Sequence, residues 1–154
     1  MSPPLVSPIN WGVAAANVRA MEDRWNSCDP GRVARDYTID SFWRSRVEFL
    51  SGRVAIEAFL TRKWAKLAEY RRINELWVAA GNRIAVRFAY ECRDEGGNWH
   101  RAYGNEAWEL DPDGLIRWRI ASINEHPVAE AERMFLWPAG RRPDDHPELS
   151  DFDF

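Results

Sequence analysis

Tyr90, Tyr103, Asn105, Ser122 and Asn124 are the residues best suited to orient a small molecule. Each sets a hydroxyl or amide at an alternate position of a segment otherwise rich in apolar and aromatic residues. Trp43, Trp77, Phe88 and Trp118 complete the expected pocket by supplying ring surface for a small hydrophobic ligand. Asn105 is the expected orienting group, because an amide in mid-strand is costly to bury unless a ligand, water or neighbouring Tyr completes its hydrogen bonds. The same polar tips could instead satisfy one another inside a closed core. A second constellation is Arg87, Glu106 and Arg119, a carboxylate between two guanidiniums. It could bind an anion or move a proton, or it could pair charges across strands at a subunit interface that includes Trp108. Glu75 would become a general acid or base if it lay in an apolar cavity, where desolvation raises a carboxyl pKa. Asp40 would either face the cavity mouth or serve as a turn residue. His100, His126 and His146 are dispersed and have no zinc-type spacing. There is no glycine-rich phosphate loop, nucleophile elbow or cysteine with a base nearby in sequence, so neither a metal nor a cofactor is expected.

Strand parity decides which of these residues meet. Asp111-Pro112-Asp113-Gly114 carries turn chemistry and predicts a hairpin in which Leu110 pairs with Leu115. Glu106 then falls opposite Arg119, Asn105 opposite Ile120 and Tyr103 opposite Ser122. Reading Gly81-Asn82 and Gly96-Gly97 as two-residue turns sets Val86 beside Trp77, Arg87 beside Glu106 and Tyr90 beside Tyr103. One face then holds eight of the nine pocket residues, all but Trp43, with Glu75, Ile84, Val86, Ala107 and Ile120, and is assigned to the helix side. The other holds Arg87, Glu106, Trp108 and Arg119. A one-residue change in any turn would exchange the faces of the strand that follows.

Trp11, Ala14, Ala15, Val18, Met21 and Trp25 form an apolar stripe that predicts a first helix over 10–27. Asp29-Pro30 opens a short second helix through Val33 and Ala34. The aromatic run from Tyr37 to Ser51 predicts a short strand pair. Ile56, Phe59, Leu60, Lys63, Trp64 and Leu67 predict a third helix over 53–68. Strands follow near 70–79, 84–93, 100–110 and 115–124, then a short helix between Val128 and Phe135. The expected fold is α+β: a cone of three N-terminal helices on a strongly curved, mostly antiparallel sheet, with Trp11, Val18, Trp25, Ile56, Phe59, Leu60 and Trp64 in its core. At 154 residues and 45% hydrophobic content, the chain reads as one domain, 1–154, with 138–154 as an extended tail. A net charge of −3 and a pI of 5.7, with no basic run beyond Arg71-Arg72 and Arg141-Arg142, predict neither a nucleic-acid nor a membrane partner. Two cysteines without metal or disulfide spacing, no signal-type segment at Met1–Leu5 and no apolar run long enough to span a bilayer predict a cytoplasmic protein.

Asp29-Pro30, Phe42–Phe49, Gly52 followed by Ile56-x-x-Phe59-Leu60, Arg83–Glu91, Tyr103-Gly104-Asn105-Glu106-x-Trp108-Glu109 and Ala121–Asn124 together resemble a largely bacterial, uncharacterised family. That family lies within the nuclear transport factor 2-like, polyketide-cyclase-like superfamily, and the resemblance runs over nearly the whole chain. It implies a pocket between helices and sheet and a homodimer, placed here on the convex sheet face around Arg87, Glu106, Trp108 and Arg119. It does not imply one activity, since the superfamily includes isomerases, epoxide hydrolases and cyclases beside members that only bind or scaffold. In its enzymes an Asp projects from the sheet into the cavity, and the inward positions expected here, Phe88, Tyr90, Trp118 and Ile120, hold no such carboxylate. The leading expectation is therefore a small-molecule-binding protein. The alternative is a cofactor-independent isomerase, hydrolase or cyclase acting on a small hydrophobic substrate.

Overall fold

The structure, a computed structural model, describes residues 10–154; the Met1–Leu5 stretch read for targeting lies outside the described residues. Helix α1 (Trp11–Asn26) starts where the Asn10 side chain accepts from Val13 N at 2.8 Å, and it buries Ala14, Val18, Met21 and Trp25. Trp11 is not in the core. It is 61% exposed, because the first turn of α1 overhangs a groove beside Leu76 and Glu148. Helix α2 (Pro30–Ala34) has Asp29 as its cap and Pro30 in its first turn. Strands β1 (Tyr37–Ser45) and β2 (Glu48–Ser51) form a hairpin whose turn holds Arg46 at φ 57. Helix α3 (Arg53–Ala65) buries Ile56 and Leu60 and packs the half-buried Phe59 and Trp64 against the same core.

Strands β3 (Ala68–Ala80), β4 (Arg83–Arg93), β5 (Trp99–Leu110) and β6 (Ile116–Val128) form an antiparallel meander. The full sheet has the order β2-β1-β6-β5-β4-β3, and β1 joins β6 in parallel. The protein is thus α+β, with six mostly antiparallel strands and three α-helices among the described residues. The parallel seam matters for the site because it sets Trp43 beside Arg119.

The free edge of β3 is closed by side chains of α1. Asn26 accepts from the backbone N–H of Arg72 at 2.7 Å and donates to its carbonyl at 2.9 Å, imitating a neighbouring strand. Two residues further on, Glu22 accepts from Asn74 N at 2.9 Å. Both carriers are buried, so unmet β3 backbone groups would otherwise be stranded inside.

After β6, a single 3₁₀ turn at Glu130–Glu132 stands where a helix through Val128–Phe135 was expected. The segment beyond it crosses the sheet face opposite the helices, burying Phe135, Trp137 and Leu149 against Ile73 and Ala89. No helix among the described residues is long and apolar enough to cross a membrane.

Candidate functional site

The turn between β4 and β5 reverses the expected faces. Asp94 N donates to Asn98 O, Gly97 N donates to Asp94 O, and Gly97 takes φ 81, so the reversal occupies Asp94–Asn98 and not a two-residue Gly96-Gly97 turn. Arg93 consequently pairs with Trp99, Val86 with Glu106 and Phe88 with Gly104. This one-residue slip turns every side chain of β5 and β6 over relative to β4. At the Asp111–Gly114 turn, Leu110 pairs with Ile116 and Glu109 with Trp118, so Arg117 bulges between them. Glu106 therefore opposes Ala121, two positions from the expected Arg119, which leaves both on one face. A bulge at Trp77 also turns β3 over, so that Arg72, Asn74 and Leu76 face the helices and Glu75 faces away.

Glu106, Trp108 and Arg119 therefore point inward, and their expected place on a convex dimer face is corrected. Only Arg87 of that set is on the outer face, where its guanidinium lies 3.3 Å from Glu75. The absence of an inward carboxylate is corrected with it. Glu106 accepts from Arg72 Nη2 at 3.1 Å, from Arg119 Nε at 2.8 Å and from Trp108 Nε1 at 3.1 Å, and it forms a closer ion pair with Arg119 Nη2. Both guanidiniums and the carboxylate are essentially fully buried. Burial alone would raise the Glu106 pKa, but the Arg119 and Arg72 charges and their hydrogen bonds hold it below the ordinary carboxylate value.

Aromatic rings sheathe this triad. Arg72 lies 4.4 Å from the Trp25 ring centroid and 3.9 Å from that of Phe88; Arg119 lies 4.4 Å from that of Trp43. Gly104 makes room for Phe88: a Cβ there would fall within contact of the ring itself. Trp25 Nε1, Trp43 Nε1, Trp64 Nε1, Tyr37 Oη and Arg119 Nη1 are buried and find no partner among the described residues. Arg72 and Arg119 outnumber Glu106, so the centre is cationic and rich in unspent donors. Toward α3 the same interior holds Lys63, whose ammonium nitrogen is 3.5 Å from Tyr90 Oη. Burial pushes the Cys92 and Cys28 thiols up to about 11, which keeps them protonated.

The nine expected pocket residues are divided between the two faces. Trp43, Phe88 and Tyr90 are buried on the helix side, around the triad. Trp77, Tyr103, Asn105, Trp118, Ser122 and Asn124 are on the opposite face, corrected for the turn and bulge reasons given above. Four of these, Tyr103, Asn105, Ser122 and Asn124, meet Arg87, Leu149 and Phe154 around an outer cavity of about 220 Å³. Trp77 and Trp118 are 66% and 45% exposed. Asp40 is on β1. Sequence reasoning missed Arg72, which it counted only as part of a basic pair, and Tyr37. Among the described residues no three His, Cys, Asp or Glu side chains are grouped as a metal would need.

Three solved structures show the fold class. The chain is 19% identical to the epoxide hydrolase/cyclase-like enzyme SalBIII of pyran ring formation in the polyether salinomycin, covering 71% of this chain and 90% of that one at a TM-score of 0.61. It is 13% identical to a ketosteroid isomerase-like protein of Catenulispora acidiphila DSM 44928 in complex with trimethylamine, covering 67% and 81% at a TM-score of 0.61. It is 14% identical to an NTF2-like protein of unknown function from Exiguobacterium sp. 255-15, covering 72% and 98%, again at 0.61. These likenesses define an NTF2-like fold. The chain belongs to the family described as "Protein of unknown function (DUF1348)", whose model matches residues 7–136. No curated protein matches the sequence.

Proposed function

We propose that this protein binds a small molecule with an apolar or aromatic body and an oxygen acceptor, either a carboxylate or a carbonyl, in the interior between helices and sheet. The observation that carries this reading is the surplus of buried donors: Arg119 Nη1, Tyr37 Oη and three indole N–H groups surround a net positive triad. Buried donors without acceptors are costly, and a ligand oxygen is the group that would relieve several at once. A cone of the three N-terminal helices over the sheet is the enclosure we propose for it. Trp43, Phe88 and Tyr90 are the members of the expected pocket that this reading retains.

The second reading, a cofactor-independent isomerase, hydrolase or cyclase, is favoured by Glu106 itself, an inward carboxylate among aromatic rings. Its two guanidiniums keep it ionised with a lowered pKa, so it neither has a proton to donate nor takes one up readily, which tilts the assignment toward binding. Tryptophan fluorescence titrated with benzoate, phenylacetate and acetophenone tests the site. At least one probe is expected to perturb the interior indoles, and Trp43→Phe, which removes one N–H and keeps a ring, should weaken binding about five- to tenfold. Binding that is insensitive to Trp43→Phe but weakened by Asn105→Leu would overturn the assignment.

We also propose a homodimer through the outer sheet face, on the part the C-terminal segment leaves open. There Trp77, Val78, Trp118 and Ile120 are exposed, and Val78, Trp118 and Ile120 border an apolar groove of about 520 Å³. Light scattering should give a dimeric mass that Trp118→Glu converts to a monomeric one with helicity intact; a wild-type monomer at tens of micromolar would refute this. A cytoplasmic location, with Cys28 and Cys92 kept free, accords with the same picture.

A further inference from the structure

We propose that Lys63 is a nucleophilic amine that forms an imine with an aldehyde or ketone held in the helix–sheet interior. The proposal rests on the interior being the ligand site and adds a substrate class to it. Lys63 and Lys66 are the only two lysines among 21 lysines and arginines, so the half-buried Lys63, with its ammonium among aromatic rings, is unlike every other cation around it. Lys63 stands in the apolar stripe of α3, three residues after Leu60. Its Nζ lies 4.5 Å from the ring centroid of Tyr90, 5.6 Å from that of Tyr70 and 5.7 Å from that of Trp25. It has no carboxylate partner among the described residues, whereas Arg46 nearby is paired with Glu125.

The groups facing it from each surrounding element explain how it stays reactive. Arg72 and Tyr70 come from β3, Tyr90 and Cys92 from β4, Arg119 from β6, Arg46 from the β1–β2 turn, Trp25 from α1 and Cys28 from the turn after it. Burial, with the Arg72 and Arg119 charges next in weight, lowers the Lys63 pKa to about 7, although the rings by themselves favour its charged form. A substantial share of the molecules then carries a free amine at neutral pH, against a very small fraction for an ordinary lysine. The neutral Nζ adds to the carbonyl carbon, forming the C–N bond as the carbonyl π pair moves to oxygen. A proton passes from nitrogen to that oxygen to give the carbinolamine, and loss of water leaves the imine. Tyr90 is placed to relay this proton: its hydroxyl is 3.5 Å from Nζ, and burial pushes its pKa up to about 12, so it retains its proton. The donors on Arg119 and Trp43 serve the carbonyl oxygen in the same reading.

The test uses the full chain with benzaldehyde and sodium cyanoborohydride, which reduces an imine to a stable secondary amine located by peptide mass mapping. Lys66, exposed on the same helix end, is the internal reference. At pH 7 the adduct on Lys63 is expected to exceed that on Lys66 by at least about tenfold, and its rate should level off above a midpoint near pH 7. Lys63→Arg should abolish that adduct and Lys66→Arg should leave it. Should Lys63→Arg fail to fold, the Lys63 to Lys66 ratio and the pH profile in the wild type still decide. Equal labelling of the two lysines, or a Lys63 rate that climbs steadily toward pH 10, would overturn the proposal. Benzoate separates it from the reading beneath it, because benzoate cannot form an imine. If benzoate perturbs the interior indoles while benzaldehyde leaves no adduct on Lys63, the imine falls and the binding site stands; if neither engages the interior, both fall.

Discussion

Replacing Glu106 by glutamine is expected to cost about 3–5 kcal/mol of folding stability in urea denaturation, since it leaves two buried guanidiniums without their counter-charge. Glutamine keeps the side chain's shape but only one of the two acceptor oxygens, so the charge is lost and an NH2 donor is turned against either Arg119 or the Arg72 and Trp108 donors. Arg72 and Arg119 are each at 1% side-chain exposure and cannot turn to solvent without opening the sheet from the helices. The pH dependence follows from the same pair of charges. Glu106 titrates below its ordinary value when folded, so as pH falls the unfolded chain takes up its proton first. The stabilisation it brings is complete above the ordinary carboxylate pKa and is lost as pH drops through the lowered one. Glu106→Gln should remove that part of the acid sensitivity. A loss under about 1 kcal/mol would mean that the guanidiniums are not desolvated.

The second large effect is expected from Glu91→Ala, and it should be regional. Glu91 is fully buried on the outer face, where it accepts from Arg101 at 2.8 and 2.9 Å, from Met134 N at 3.1 Å and from Phe135 N at 2.9 Å. Removing it strands the Arg101 cation and two backbone donors, a deficit of about 3–5 kcal/mol if the segment stays in place. Peeling that segment away lets water satisfy all three groups. Hydrogen exchange should therefore accelerate through residues 133–154, while α1 and α3 keep their protection. Unchanged exchange there would show that the aromatic cluster of Phe135, Trp137 and Phe154 holds the segment without Glu91.

Much of this architecture can be read from the chain. The 3.6-residue stripes of α1 and α3, the Asp29-Pro30 start of α2 and the period-two runs of β3 to β6 all express local preferences that packing reinforces. The site was less legible, because it depends on counts of single residues in turns. Asp94-Glu95-Gly96-Gly97-Asn98 differs from a two-residue reversal by one position, and that position moves Glu106 and Arg119 from one face to the other. A usable signal was present: Asp94 is placed to accept from Gly96 N and Asn98 N, and Gly97 supplies the positive φ that closes a three-residue loop with a bulge. No comparable signal marks the bulge at Trp77, which decides that Arg72 faces the helices while its neighbour Arg71, also buried, lies on the other face with its Nε donating to Trp137 O. The parallel seam between β1 and β6, which sets Trp43 beside Arg119, is a long-range pairing that periodicity cannot reveal. Lys63 was visible as the one charged residue in an apolar stripe.

The most direct measurement is a crystal structure of the protein soaked with the tightest of the aromatic carboxylate and carbonyl probes. The account predicts density between helices and sheet, with a probe oxygen within hydrogen-bonding distance of Arg119 Nη1, Tyr37 Oη or Trp43 Nε1. Density bound instead on the outer face, against Asn105, Ser122 and Asn124, with the interior donors unchanged, would contradict it.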